Sequence, residues 1–484
     1  MKIKQLIQGI PDLIVKGSKE VEITGLSNDS NTIVPGNLFI ARKGLRFDGA
    51  EFIPRAIDSG ASAILGVAYN PFFKQTQILC RDPAALEAML ASRFYHHPSK
   101  KLFVVGVTGT KGKTTTSYLI HHLLEKLHRP AGLSGTIEMV IGKKRCPSTL
   151  TTQDAIRNQK SLSEMLFANC KAAVMEVSSH GLEQNRVDCI DFDLALFTNL
   201  YPDHLDYHRD LDHYAAAKKR LFHQAKSSLF NADSPFANFM MKGVKGTTFG
   251  CKEGADIQAL DISLVGEKTV FTVCHKGIKE TFSSPLMGRF NVYNLLGAIA
   301  VGLHLGASLS ALASIFAEDI VIAGRLEPIK TELGFSVFVD FAHSGASLEN
   351  VLSTLREITK NRLIVIFGCG GGRDPMRRPE MAAAAEKWAD LAIVTSDNPR
   401  HEDPAEICRQ ILAGFQQMEK VTLEIDRREA IALGMQWARE GDVVLIAGKG
   451  HERTQIFGSQ TAPFDDRLVA KEALQILNRS AILS

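Results

Sequence analysis

Lys113 and Thr114 close a short glycine-rich run, Gly109, Thr110, Lys111, Gly112, Lys113, Thr114 and Thr115. An apolar stretch over residues 102–105 leads into it through a further glycine, Gly106. Ile120, Leu123, Leu124 and Leu127 follow at helical spacing. Strand, glycine-rich loop, Lys-Thr and helix are the parts of a phosphate-binding loop. The glycines let backbone N–H groups turn toward phosphate, and the helix N-terminus adds partial positive charge. Lys113 would then reach the outer phosphates of a nucleoside triphosphate, and the Thr114 hydroxyl a Mg²⁺ ion. Counted from Gly106 the glycines fall three apart, a pattern that argues against a generic switch GTPase or transport ATPase.

Other residues carry chemistry further along. Glu176 ends the apolar run 172–177, where a carboxylate needs a partner. Beside a nucleotide that partner is a metal ion; the alternative is a nearby Lys or Arg. Asp203, His204, Asp206 and His208 follow the strand expected over 194–199, at the kind of strand end where α/β proteins hold ligands. By spacing alone they could equally be a solvated turn. Lys218, Lys219 and Arg220 sit on a helix expected over 214–224 and read as a solvated basic face. Three later loops each follow a strand. Arg373 comes after 363–367, the run Asp397, Asn398, Pro399, Arg400 after 391–395, and Glu452 after 443–446. Arginines take carboxylates in bidentate fashion and a glutamate takes an ammonium, so this set could clamp a small zwitterion. The glycines at 368–372 resemble a dinucleotide fingerprint, but the spacing that should follow is missing, and NAD is set aside.

The elements that must position these groups alternate. After about residue 324, strands at 336–341, 363–367, 391–395, 421–425 and 443–446 are separated by helical runs, the pattern of a parallel sheet covered on both faces. The length of 484 residues fits about three domains. We expect an α/β chain divided at 1–97, 98–323 and 324–484. A net charge of +3 makes no case for nucleic acid or membrane as a partner. The N-terminus lacks the apolar core of a signal peptide and no apolar run reaches membrane-spanning length. The eight cysteines are scattered without a C-x-x-C pair, which suits reduced thiols in the cytoplasm rather than zinc or disulfides.

Taken together, the loop 109–115 (with Lys111 where Asn is commoner), the segment 176–187 and the run 397–400 resemble the Mur ligase family over nearly the whole chain. The resemblance implies a nucleotide-sugar-binding N-terminal domain, a central P-loop ATPase-like domain and a C-terminal Rossmann-like domain. It implies ATP-dependent amide-bond formation in peptidoglycan precursor synthesis, in the branch that adds the third amino acid. The substrates would be UDP-N-acetylmuramoyl-L-Ala-D-Glu and meso-diaminopimelate, with ATP and two Mg²⁺ ions, in a monomer that neither binds nucleic acid nor enters a membrane. Lys113, Glu176, His204 and Lys218 would be catalytic. Thr114, Glu176, His204 and a carbamylated Lys218 would handle metal, which overturns the solvated reading for Lys218 but not for Lys219. Residues 109–115, Asn291, Asn294, Arg325 and Asp340 would contact ATP. Ser30, Thr151, Thr152, Ser178, Gln184 and Arg186 would hold the nucleotide-linked dipeptide. Arg373, Asp397, Asn398, Pro399, Arg400, Gly448 and Glu452 would bind diaminopimelate. The chain departs from the family pattern at Asn31, Ala50, Leu150, Gln153, Ser344 and Gly345, mostly on the nucleotide-sugar side. A lysine-adding sister enzyme would differ at 397–400, and a folylpolyglutamate synthetase would lack 176–187. A phosphate-loop kinase would leave Arg373, Arg400 and Glu452 without a task, and a silent binding protein would have no need of Lys113, Glu176, His204 and Lys218.

Overall fold

The computed structural model describes residues 1–44, 47–204 and 207–483, with side chains as far as 479. The chain forms two compact units, residues 1–257 with 297–306, and residues 258–296 with 307–484.

The first unit holds two sheets. The N-terminal one has the order Ile14–Lys16, Thr76–Leu79, Ala63–Gly66, Asn37–Ile40, Gly25–Ser27, with the first strand antiparallel and the rest parallel. Successive side chains point to opposite faces of a strand. Leu38, Ile40, Ala63 and Leu65 therefore pack with Leu90 and Ala91 of the helix Pro83–Phe94. Phe39, Ala41 and Ile64 pack on the other face with Ile53 and Ala56.

In the second sheet of this unit the loop-bearing strand Phe103–Thr108 lies between Ala172–Glu176 and Phe192–Phe197, and all three run parallel. Their register sets Glu176 opposite Val107 and Phe197 opposite Thr108, so the three strand ends are level. Gly106 lies inside the strand. A Cβ there would stand 2.8 Å from Phe192 Cε1 and 3.1 Å from Leu221 Cδ1. The regular glycine spacing is thus one packing glycine followed by a loop that begins at Gly109.

The second unit carries a six-stranded sheet in the order Glu327–Ile329, Ser336–Asp340, Val443–Ala447, Leu363–Phe367, Leu391–Val394, Val421–Leu423. Only the first strand is antiparallel. Phe338, Val365, Phe367 and Leu445 meet Leu352, Leu355, Met381 and Ala385 of the helices Gly345–Ile358 and Arg377–Trp388. Their neighbours Val337, Val339, Ile364, Ile366 and Ile446 meet Ile431, Met435, Val469 and Ala470 on the opposite face. A sheet buried on both sides explains why these strands read as continuous apolar runs. Two hairpins that the alternation argument passes over also belong to this unit, Lys268–His275 with Ile278–Ser284 and Thr454–Phe457 with Gln460–Pro463.

One ion pair is sealed beneath the C-terminal edge of this sheet. Arg427 and Asp466, both fully buried, meet through Nε to Oδ1 and Nη2 to Oδ2, each 2.8 Å. Nη2 also donates to the Ala447 carbonyl at 2.9 Å. Asp466→Ala would strand a buried guanidinium, so we expect a loss of about 3–5 kcal/mol, read as a lower urea midpoint. Wild-type stability in that variant would contradict the assignment. All eight cysteines are free thiols. Among the described residues no helix is long and apolar enough to cross a membrane.

Candidate active site

The phosphate loop is held by the strand beside it. Gly109 adopts φ +150°, and a Cβ there would lie 1.9 Å from Thr198 Oγ1. Gly112, at φ +82°, caps the helix Lys113–Lys126. The Thr110 N–H donates to the Asn199 carbonyl and the Lys111 N–H to Asn199 Oδ1, both 2.9 Å. Thr198 Oγ1 donates to the Lys111 carbonyl at 2.7 Å. Thr198 and Asn199 escaped the sequence reading; their signal is a polar pair at the tip of an apolar strand parallel to the loop strand. Lys113 Nζ folds back onto the Gly109 and Thr110 carbonyls at 2.9 and 3.0 Å.

Glu176 is 1% exposed and accepts three hydrogen bonds, from Thr114 Oγ1 at 3.0 Å and from the N–H and hydroxyl of Thr136 at 2.9 Å each. None of these donors is cationic, so the Lys or Arg partner that spacing left open is absent among the described residues. A buried carboxylate beside a loop hydroxyl, with neutral donors only, is an oxygen site of the kind a Mg²⁺ ion uses when phosphates and water complete its shell. The described residues contain no cluster of three or more His, Cys, Asp or Glu poised around a metal. His204, at φ +57°, has its ring 5.0 Å from that of His180 and its Nε2 4.0 Å from Asp203 Oδ2. Asp206 lies outside the described residues. His208 turns inward, 3.1 Å from Glu183 Oε2 and 3.0 Å from Ser179 Oγ, so His208 itself is not part of a solvated turn.

Lys218 is 1% exposed, on the helix Leu211–Gln224. Its Nζ donates to the Gly109 carbonyl at 2.9 Å and lies 4.5 Å from the Tyr214 ring centroid. Burial, reinforced by the Lys113 charge, holds its amine well below the ordinary lysine value. The solvated-face reading fails for Lys218 because positions 214, 218, 221 and 222 form the buried stripe of this helix. Lys219 is half-buried, its Nζ 5.0 Å from the Phe239 ring.

The dipeptide candidates meet around Glu176. Thr152 Oγ1 donates to the Glu176 carbonyl and accepts from the Ser178 N–H, both 2.9 Å. Thr136 Oγ1 also lies 3.1 Å from Thr151 Oγ1. Arg186 reaches the Thr152 carbonyl at 2.9 Å and Gln184 Oε1 at 2.6 Å. Ser30 is buried on the turn Ser30–Thr32, where Asn31 Nδ2 folds onto Asp29 Oδ1 at 2.8 Å. Gln153 Nε2 donates to Ser148 Oγ and the Leu150 carbonyl, both 2.8 Å, and so shapes the loop ahead of Thr151.

In the second unit the candidates after residue 324 gather on loops at the C-terminal edge of the parallel sheet, and Asn291 and Asn294 stand on a helix ahead of it. Asp340 Oδ2 accepts from the Leu326 N–H at 2.7 Å, and the Arg325 guanidinium lies 4.9 Å from the Phe341 ring. Asn291 and Asn294 are buried on the helix Arg289–His304, joined Nδ2 to Oδ1 at 2.9 Å. Gly448, at φ +115°, leaves room for Asp397, whose Oδ2 would stand 2.5 Å from a Cβ there. Burial raises the Asp397 pKa, with Lys449 and Arg427 pulling it back. Asn398 Nδ2 donates to Glu452 Oε2 at 2.7 Å. Arg400 Nη1 donates to the Gly371 carbonyl at 2.6 Å. A Cβ on Gly371 would fall 2.0 Å from the Pro399 carbonyl oxygen and one on Gly368 2.2 Å from that of Thr395. The glycine run therefore serves close packing of two loops rather than a dinucleotide. Arg373, on the same loop, is exposed. Lys449 and Gln455, both buried, were missed by the sequence reading; Gln455 Nε2 donates to the Asp397 carbonyl at 2.7 Å.

A phosphate loop with a buried acidic partner in one unit, and a loop cluster of arginines and carboxylates on a parallel sheet in the other, define an ATP-dependent ligase. Family models agree with that class. The Mur ligase middle domain matches residues 107–302, the Mur ligase glutamate ligase domain 324–450, and the Mur ligase family catalytic domain 22–95. The chain belongs to the Mur ligase family. It is 42% identical, over 98% of its length and 99% of the relative's, to UDP-N-acetylmuramoyl-L-alanyl-D-glutamate–2,6-diaminopimelate ligase of Chlamydia felis. It is 41% identical to the Caldanaerobacter subterraneus protein of the same name, over 98% and 99%. A solved structure bearing that name superposes with a TM-score of 0.70 at 30% identity, covering 99% of each chain.

Proposed function

We propose that this chain joins the amine of meso-diaminopimelate to the D-Glu γ-carboxylate of UDP-N-acetylmuramoyl-L-Ala-D-Glu at the expense of ATP. The observation that carries this reading is the pairing, in one chain, of a phosphate loop whose buried carboxylate accepts only from Thr114 and Thr136 among the described residues with a separate clamp built from Arg400, Asn398 and Glu452. A kinase would use the first and leave the second idle. The γ-carboxylate attacks the terminal phosphorus of ATP, ADP leaves, and an acyl phosphate forms. The amine then attacks the acyl carbon, inorganic phosphate departs, and the amine's proton is lost to solvent. Lys113 offsets the negative charge that carboxylate and phosphate bring together. Thr151, Thr152, Ser178, Gln184 and Arg186 hold the dipeptide, and Ser30 lies against the uridine diphosphate. Asn291, Asn294, Arg325 and Asp340 contact ATP. Thr114, Glu176 and His204 would hold Mg²⁺, with a carbamylated Lys218 as ligand to a second ion, and the bound ions would neutralise charge on the transferred phosphoryl group. The protein acts as a cytoplasmic monomer, in domains 1–97, 98–323 and 324–484.

The test is phosphate release from ATP in the presence of the nucleotide-linked dipeptide, with meso-diaminopimelate or L-lysine as amine. Release with diaminopimelate and little with lysine is expected. Release with neither overturns the reading.

A further inference from the structure

Lys449 is fully buried, yet it is three residues from Glu452 and belongs to no group assigned above. Its Nζ donates to Glu452 Oε2 at 3.0 Å and to Asn398 Oδ1 at 3.1 Å. Asn398 completes the triangle, because its Nδ2 donates to the same Glu452 Oε2 at 2.7 Å. Asn398 Oδ1 also accepts the Ile456 N–H at 3.1 Å. Two donors on Oδ1 fix which way the amide faces, since a flipped amide would present N–H to both. Glu452 Oε2 is therefore tied inward twice. Its Oε1 accepts no hydrogen bond among the described residues, and the side chain is one-third exposed.

From this geometry we infer that Lys449 is a positioning residue for the incoming amino acid. It pins Glu452 through one carboxylate oxygen and leaves the other, Oε1, aimed outward to accept the substrate's ammonium group. The inference rests on the proposed amino-acid clamp and deepens it. A buried cation is costly unless it is paired and hydrogen-bonded. Here it neutralises one of two neighbouring carboxylates, Glu452 or Asp397, and leaves one net negative charge on the cluster. That charge suits the ammonium end of a zwitterion. Without Lys449, Glu452 keeps a single tether, to an amide oriented by the Ile456 N–H alone, and the two carboxylates repel each other.

The experiment measures steady-state kinetics of Lys449→Met, Glu452→Gln and the double variant in the full-length protein. Lys449→Met is expected to raise the KM for meso-diaminopimelate about tenfold or more, with the KM for ATP and for the nucleotide-linked dipeptide within about twofold. Because Lys449 acts through Glu452, adding Lys449→Met to Glu452→Gln is expected to cost little further. Equal rises in all three KM values, or full additivity in the double variant, would overturn the inference and assign Lys449 to packing alone. Should Lys449→Met not fold, Lys449→Arg decides. It keeps the charge but changes the donor geometry, so an unchanged KM for diaminopimelate there also overturns the inference. A wild-type protein that releases no phosphate with diaminopimelate rejects the proposed function instead, and the two failures are told apart by that control.

Discussion

Replacing Lys218 by alanine is expected to lower phosphate release by about 10³-fold or more, the scale seen when a charge-stabilising group is removed, and short carboxylates such as acetate should restore part of it. The amine is 1% exposed and bonded to the Gly109 carbonyl, the same acceptor that Lys113 uses. Burial disfavours the charged form, and the Lys113 charge on the shared carbonyl adds to it, so the Lys218 amine gives up its proton more readily than an ordinary lysine. A neutral buried amine can add to CO₂. The N–C bond forms, one N–H proton passes to water, and a carbamate anion replaces a would-be cation. That inverts the local charge and supplies an oxygen ligand beside the phosphate loop. The sign of the linkage follows. With its native pKa depressed, unmodified Lys218 binds fewer protons folded than unfolded at every pH between that lowered value and 10.5. Stability of the CO₂-depleted protein therefore rises with pH through that window and levels off above it. In Lys218→Met this contribution to the slope disappears, and the variant is expected to be the more stable of the two at neutral pH while inactive. Chemical denaturation across pH and ¹³C-bicarbonate labelling read both effects. Full activity of Lys218→Ala removes the carbamate from the proposal.

Much of this was legible in the chain, for identifiable reasons. The strands of the second unit declare themselves because a sheet covered on both faces needs apolar side chains at every position, as residues 363–367 and 443–447 have. The phosphate loop is visible because close backbone approach leaves room only for glycine at Gly109. Gly106 misled the spacing argument for a related reason: Phe192 demands a glycine there as strictly as a phosphate would. Lys218 read as solvated because three basic residues in a row hide which one falls on the buried stripe. Only the helix phase, fixed by Tyr214 and Leu221, separates Lys218 from Lys219. Thr136 and Lys449 were invisible for a different cause. Each meets a partner across the fold: Thr136 meets Glu176, forty residues away, and Lys449 meets Asn398, fifty-one residues away. No local pattern records such pairs. Apart from the family resemblance, Asp397 to Arg400 stood out by position, as polar residues after a strand. What makes them a site is the hairpin Thr454–Phe457 with Gln460–Pro463, which alternation with helices could not reveal.

Arg400→Ala is expected to raise the KM for meso-diaminopimelate about a hundredfold, roughly 2.7 kcal/mol and within the range of a charge-assisted hydrogen-bonded pair, while the KM for ATP stays within about twofold. Arg400 sits at φ +54°, an uncommon conformation for a residue with a side chain. Backbone bonds to the hairpin hold it there, its N–H donating to the Ile456 carbonyl at 3.0 Å and its carbonyl accepting from the Gly458 N–H. One guanidinium nitrogen, Nη1, is spent on the Gly371 carbonyl at 2.6 Å. Nε and Nη2 make no hydrogen bond among the described residues, and together they present the edge that takes a carboxylate in bidentate fashion. Diaminopimelate has a second carboxylate where lysine has hydrogen. With lysine bound, the half-buried guanidinium would have no counter-charge, and a site built around such a partner rejects the analogue lacking it by about 10⁴-fold. Arg400→Ala removes both the reward and the penalty, so the ratio of kcat/KM between the two amines is expected to fall toward one. Arg400→Lys should not restore it, because an ammonium on a flexible stem cannot reproduce the planar two-point contact. Phosphate-release kinetics with both amines decide the matter. Unchanged constants for both would mean that selectivity lies elsewhere on this loop, and that the strained backbone at Arg400 serves only to seat the hairpin.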